Sequence, residues 1–291
     1  MKDFSYSAPA SLREAASLLA GVNGQAKILA GGTDILVQLR EGLREADLVV
    51  DVKKIPELME LSYSPVKGLR LGASVPCYRI YDHAEISRAY PALADAAHIV
   101  GGWQIQSRAS VGGNLCNSSP AGDTIPALIA HGVTAVVTGP SGQREVKAEE
   151  FCTAPGKNSL QPGDLLVTLV FPPAGAKSSS AYERFIPRNE MDIAVAGAAS
   201  WVQLAADGKT IEQARIGLCA VAPTPKFAAL ASQWLTGKPA TEETFAQAGE
   251  LAKKVASPIT DMRGTAEYRV HLVGVLVKRT LMKAVERARA A

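Results

Sequence analysis

Ile28-Leu29-Ala30-Gly31-Gly32-Thr33-Asp34-Ile35 and, further along, Ser110-Val111-Gly112-Gly113-Asn114 are the stretches whose reading decides the fold. Paired glycines let a backbone bend sharply and meet a ligand with no Cβ in the way. Successive free N–H groups in such a bend form a concavity for anions, phosphate above all. Two such loops, edged with Thr33, Asn114 and Asn117, suggest a diphosphate gripped from both sides. The first lacks the third glycine of Gly-x-Gly-x-x-Gly, and the P-loop lysine is missing, so neither a nicotinamide fingerprint nor a Walker motif is present. Asp34 and Asp123 would be repelled by a diphosphate, and their sensible roles are helix caps or acceptors for sugar hydroxyls. Either loop alone also reads as a plain tight turn.

Around the first loop, residues 11–20 read as a helix with Ser11 and Glu14 as a capping box. Leu12, Ala15, Ala16 and Leu19 supply its apolar face, and Gly21 and Gly24 end it. Residues 26–30 then form a strand feeding the loop, and Thr33 or Asp34 caps a short helix over 35–41, with Ile35, Leu36 and Leu39 inward. Residues 48–52, 69–73, 134–138 and 165–171 read as strands. Residues 91–102 read as a helix, and Asp123 caps another that runs to about Ala130. Residues 172–180 are the clearest linker. Beyond it come strands over 193–204 and 211–220, joined through Asp207-Gly208. Helices follow near 225–236, 241–256 and 265–289, the last with Tyr268, Leu272, Val275, Leu276 and Met282 at helical spacing. Residues 1–176 thus read as a ligand-binding α/β unit and 177–291 as an α+β domain.

The 291 residues, 47% of them apolar, are ample for a core in about two domains. A net charge of +3 with no basic, aromatic-laced stripe argues against nucleic acid. No apolar stretch reaches the ~20 residues of a membrane span, and the N-terminus lacks a signal-peptide layout, so the expected location is cytoplasmic. Cys77, Cys116, Cys152 and Cys219 are scattered without metal-ligand spacing. His83, His98, His131 and His271 stand singly, and no Gly-x-Ser-x-Gly elbow occurs. With no acid–base machinery on view, a cofactor is expected to carry the chemistry.

Residues 28–35 and 104–115 together resemble the two FAD loops of the molybdenum hydroxylase flavoproteins, the medium subunits of the xanthine dehydrogenase and aerobic carbon monoxide dehydrogenase family. Tyr182-Glu183-Arg184-Phe185 through Asp192-Ile193-Ala194, and residues 263–269, resemble segments of that family's C-terminal domain, so the likeness spans nearly the whole chain. The resemblance implies an α+β protein: a two-part FAD-binding module of the vanillyl-alcohol-oxidase (PCMH) type, divided at about residues 1–57 and 58–176, and a C-terminal domain with a three-stranded antiparallel sheet and helices. It implies that Leu29, Ala30, Gly31, Gly32, Thr33, Asp34 and Ile35 hold one side of the FAD diphosphate and Ala109, Gly113, Asn114 and Asn117 the other. Gly122 and Asp123 would approach ribityl or ribose hydroxyls. Val100, Gly101 and Ile105 would lie against the ring system, Leu166 would meet the ring or the adenine, and Arg184 would stand near the isoalloxazine.

The same resemblance implies partners: a large subunit with the molybdenum cofactor and a small one with two [2Fe-2S] clusters, in a dimer of heterotrimers. Electrons would pass through FAD to NAD, oxygen or a quinone. No cysteine-bearing insertion for a [4Fe-4S] cluster is visible, and Thr33-Asp34 stands where the carbon monoxide enzymes have histidine and serine. The alternatives are a stand-alone flavin oxidase or reductase of the same binding fold, and a non-catalytic nucleotide-binding module.

Overall fold

A computed structural model describes residues 2–21 and 25–290. Gly24, expected to help end the first helix, lies outside the described residues. The chain folds as three sheets in sequence. The first holds strands β1 (Ser5–Ser7), β2 (Ala26–Leu29) and β3 (Leu48–Asp51), all parallel, in the order β1-β3-β2. Its crossovers are helices α1 (Leu12–Ala20) and α2 (Ile35–Arg40). The expected cap of α1 is present: Glu14 N–H donates to Ser11 Oγ at 3.3 Å, and Ala10 N–H donates to Glu14 Oε2 at 3.0 Å. Ala15 and Leu19 bury its face. In α2 only Leu39 is buried; Leu36, expected inward, is exposed and lies over Gly32 instead.

The second sheet is antiparallel, in the order β4-β5-β10-β6-β7. It comprises β4 (Leu61–Ser64), β5 (Gly68–Gly72), β6 (Thr134–Gly139), β7 (Gly142–Lys147) and β10 (Leu165–Phe171). A small hairpin, β8 (Cys152–Ala154) and β9 (Lys157–Asn158), stands apart from it. Between β5 and β6 runs a chain of short helices: α3 (Tyr78–Tyr81), α4 (Ala84–Ala89), α5 (Pro91–Ala97), α6 (Trp103–Gln106), α7 (Val111–Asn117) and α8 (Ile125–Ala130). A further turn, α9 (Ala148–Phe151), follows β7. The helix expected over 91–102 stops at Ala97, ahead of Gly101, whose φ of +58° no continuing helix permits. The second glycine stretch is not a free loop: from Val111 it is the helix α7, capped by Ser110, whose Oγ accepts Gly113 N–H at 3.0 Å. Leu165 and Val167 of β10 join Ala15, Leu19, Val50, Ile55 and Leu58 in one core, so the first two sheets share apolar ground.

The third sheet is antiparallel, in the order β11-β12-β13-β14. Its long strands are β11 (Ser178–Phe185), β12 (Ala196–Leu204) and β13 (Ile211–Cys219), and β14 (Lys226–Phe227) adds a two-residue edge. β11 begins inside the expected linker: Ser180 is fully buried, and its Oγ accepts Ala92 N–H at 2.9 Å. Helices α10 (Ala229–Leu235), α11 (Glu242–Ala252) and α12 (Ala266–Ala290) belong to the same core. On α12 the buried stripe is Leu272, Val273, Leu276, Val277, Leu281 and Ala284, at the i, i+4 spacing of a core-facing helix. Tyr268 and Met282, expected on that stripe, are exposed. Between the second and third sheets the seam is rich in small residues: Ala92, Ala96, Ala127, Ala130 and Ala199 are all fully buried, beside Tyr182 and Cys219. At Gly217 of β13 a Cβ would overlap the Pro126 carbonyl of α8.

Candidate functional site

The two glycine stretches meet. A Cβ on Gly31 would overlap the Arg108 carbonyl and come within 2.9 Å of Ala109 N, so only glycine allows this approach. Gly32 holds φ +82°. From the other side, a Cβ on Gly112 would come within 2.5 Å of Ala73 O, which seats α7 against the end of β5. Between the two stretches lies a cleft of about 640 Å³, within the usual size range of cofactor sites. Ala30, Gly31, Gly32, Thr33, Asp34 and Ile35 line one side, and Ala109, Gly113, Asn114 and Asn117 another. Val100, Ile105 and Leu166 also stand on its walls.

Among the described residues, no protein acceptor takes the N–H groups of Gly31, Gly32, Thr33 or Gly112, all of which border the cleft. Partnered backbone donors are the rule in folded proteins, so a row of unpartnered ones facing a cavity is a row of anion donors. Gln38 Nε2 donates to Asn117 Oδ1 at 3.1 Å and ties α2 to α7. Asn114 Oδ1 accepts Thr124 Oγ1–H at 2.8 Å, which fixes the amide's orientation.

Asp34 occupies the N-cap position of α2, but its φ and ψ of −102° and −52° are helical and its side chain caps nothing. A capping side chain needs an extended backbone to reach back to the first turn, so the cap reading fails there. The carboxyl borders the cleft, where desolvation raises its pKa.

Five expected residues do not line the cleft: Leu29, Gly101, Gly122, Asp123 and Arg184. Asp123 is not a helix cap either, because Thr124 holds that position. Its Oδ2 accepts Arg184 Nη1–H at 2.5 Å, and its Oδ1 accepts the Tyr182 hydroxyl at 2.8 Å. The Asp123 and Arg184 side chains are only 12% and 5% exposed, and charges so deeply placed need each other. Burial pushes the Asp123 carboxyl up to about 6, against the opposing pull of Arg184 and Tyr182. Arg184 Nη2 also donates to the Ile99 carbonyl at 2.9 Å, just before the cleft residue Val100. The cation therefore supports the 99–101 turn from behind.

Several wall residues were not foreseen. Lys27 and Arg44, both cationic residues, border the cleft. Asn158 and residues 160–165 form another wall, braced by an ion pair of 2.7 Å between Arg144 and Asp164. The Pro162-Gly163 turn before the strand was the available signal for that wall; for Lys27 and Arg44 there was none. Cys77 and Cys116 also reach the cleft, and burial pushes each thiol up to about 12, so neither is a thiolate nucleophile. Among the described residues no cluster of metal-ligating side chains occurs, and no helix is long and apolar enough to cross a membrane.

Two family descriptions match this chain: "FAD binding domain in molybdopterin dehydrogenase" over residues 2–174, and "CO dehydrogenase flavoprotein C-terminal domain" over residues 180–284. The xanthine dehydrogenase FAD-binding subunit of Escherichia coli O157:H7 is 32% identical over 290 residues, covering 99% of this chain and 98% of its own. The carbon monoxide dehydrogenase medium chain of Hydrogenophaga pseudoflava is 30% identical over 285 residues, covering 96% of each. Among solved structures, carbon monoxide dehydrogenase from Hydrogenophaga pseudoflava, lacking its Mo-pyranopterin moiety, superposes with a TM-score of 0.93 at 31% identity, covering 98% of both chains. Quinoline 2-oxidoreductase from Pseudomonas putida 86 gives 0.89 at 30% identity, covering 99% of both.

Proposed function

Because this chain belongs to the FAD-binding medium subunits of the molybdenum hydroxylases, we propose that it relays electrons between partner subunits and an external acceptor. The observation that carries this is the meeting of the two glycine stretches, with unpartnered N–H groups on the cleft they enclose. The residues fit FAD: Gly31 and Gly32 make a cradle that a side chain would fill, and the free amides suit a diphosphate. Bound there, FAD supplies reversible electron storage between iron–sulfur donors on a partner and an acceptor such as NAD, oxygen or a quinone.

The chain's own residues bind and orient. The unpartnered amides of Gly31, Gly32 and Thr33 would take the diphosphate from one side, and that of Gly112, with the Asn114 and Asn117 side chains beside it, from the other. Lys27 and Arg44 bring positive charge to the cleft. Asp34, free of any capping bond, accepts a sugar hydroxyl. Val100, Ile105 and Leu166 form apolar walls that exclude water from the ring. Leu29, Gly101, Gly122, Asp123 and Arg184 act as supports behind this lining. The thiols of Cys77 and Cys116 stay neutral, consistent with a subunit that moves electrons rather than protons.

The partners in this reading are a large subunit with the molybdenum cofactor and a small one with two [2Fe-2S] clusters, assembled as a dimer of heterotrimers in the cytoplasm. The test is to add FAD to the purified full chain and record the visible flavin spectrum. A bound, perturbed flavin is expected, which candidate substrates do not bleach unless the partners are present. A chain that stays colourless both alone and with its partners overturns the reading. Bleaching by substrate with the chain alone replaces it with a stand-alone flavin enzyme.

A further inference from the structure

Lys53 does not border the cleft, yet it grips the first glycine stretch. Its Nζ donates to the Ala30 carbonyl at 2.8 Å and to Asp51 Oδ1 at 2.7 Å. Asp51 is the last residue of β3, and its carboxylate is fully engaged. Besides the ammonium, Oδ1 accepts Lys53 N–H at 3.0 Å, and Oδ2 accepts the Tyr6 hydroxyl at 2.7 Å. The Lys53 and Asp51 side chains are 25% and 13% exposed, so the pair is partly screened from water. Partial burial alone would raise the Asp51 pKa, but the bonds from Lys53 and Tyr6 hold it below the usual carboxylate range.

The consequence follows from peptide geometry. Among the described residues every peptide bond is trans. In a planar trans peptide the C=O and the following N–H point in opposite directions. An Ala30 carbonyl held by Lys53 away from the cleft therefore turns the Gly31 N–H toward it. That N–H is one of the unpartnered donors described above. Gly31 and Gly32 give this turn no side chain of its own to fix it, and glycine is the residue freest to flip. The lysine supplies the missing constraint, and Asp51 anchors the lysine.

We infer that Lys53 is a positioning residue for the dinucleotide: anchored by Asp51, it holds the Ala30–Gly31 peptide in the orientation that presents the Gly31 amide to a diphosphate. This rests on the reading that the cleft takes FAD. A charge-assisted hydrogen bond to a carbonyl is the stronger kind, so its loss is large enough to measure.

The test compares the full-length wild type, Lys53→Met and Lys53→Arg by titration with FAD, ADP and adenosine. Lys53→Met is expected to weaken FAD and ADP by about tenfold or more, the scale of one charge-assisted hydrogen bond, and to leave adenosine unchanged. Lys53→Arg, which keeps a cationic donor, is expected to recover most of the loss. If Lys53→Met binds FAD as the wild type does, the inference is overturned. Equal weakening of adenosine and ADP also overturns it, because the cleft as a whole would then have been deformed. A wild type that fails to bind FAD sinks the underlying functional reading instead.

Discussion

Gly31 has no room for a side chain, whereas Gly113 has room on one side only. A Cβ on Gly31 would overlap the Arg108 carbonyl, so Gly31→Ala forces the two glycine stretches apart. A Cβ on Gly113 meets only the Ser110 hydroxyl, at 2.9 Å, and the residue borders the cleft. Gly113→Val therefore fills cofactor space and also presses on the hydroxyl that caps α7. Both variants are expected to lose FAD retention, Gly31→Ala with the larger fall in unfolding temperature, because its clash is with backbone, and Gly113→Val with a smaller one, because its clash is with a side chain. Flavin absorbance after gel filtration, beside a thermal melt, separates the two. Full retention in both would remove the diphosphate from these residues. The second glycine stretch contributes differently from the first: Gly32 needs its φ of +82°, while Gly113 is an ordinary helical residue.

Among the elements, α7 depends most on its N-cap, Ser110. Its sequence, Val-Gly-Gly-Asn-Leu-Cys-Asn, has poor helix propensity at every position but Leu115. The Ser110 cap and the burial of Val111 and Leu115 hold it in place. Ser110→Ala is expected to cost about 1 kcal/mol, the usual worth of such a cap, read from chemical denaturation. Its weak propensity is also why α7 was not legible as a helix. By contrast, α1 and β2 were legible, because the capping residues, glycine stop and apolar spacing agree there, while α2 was legible in position but not in its cap or its inward face. The site was legible to the same degree: the glycine stretches announce themselves locally. Asp123 and Arg184 do not, since 61 residues separate two charges that only the fold brings together. Lys53 was silent for the same reason. The start of β11 was masked by its serines, which are turn formers by habit but are buried here by pairing with β12.

Across the whole molecule, two buried titrating groups oppose each other. Burial, with the nearby Arg215 cation, lowers the His131 pKa to about 3 from its ordinary 6.5. Between those values the unfolded chain binds the extra proton, so stability falls as pH falls, by about 1.4 kcal/mol per pH unit. Asp123 runs the other way. Its folded value of about 6 exceeds its ordinary 3.8, so between them the folded chain holds the extra proton and gains stability as pH falls. Between about pH 6 and about pH 4 the two contributions largely cancel. Asp123→Asn removes one of them. Its stability is expected to fall more steeply than that of the wild type from pH 6 to 4, followed by denaturation at stepped pH. Parallel curves would show that Asp123 does not titrate in that window.

The alanine seam beside Gly217 fixes one further property. Backbones packed this closely, with Tyr182 and Arg184 reaching across to Asp123, bind the middle and last sheets to each other. What presses on the last sheet is therefore carried to the middle one, as through a fixed joint.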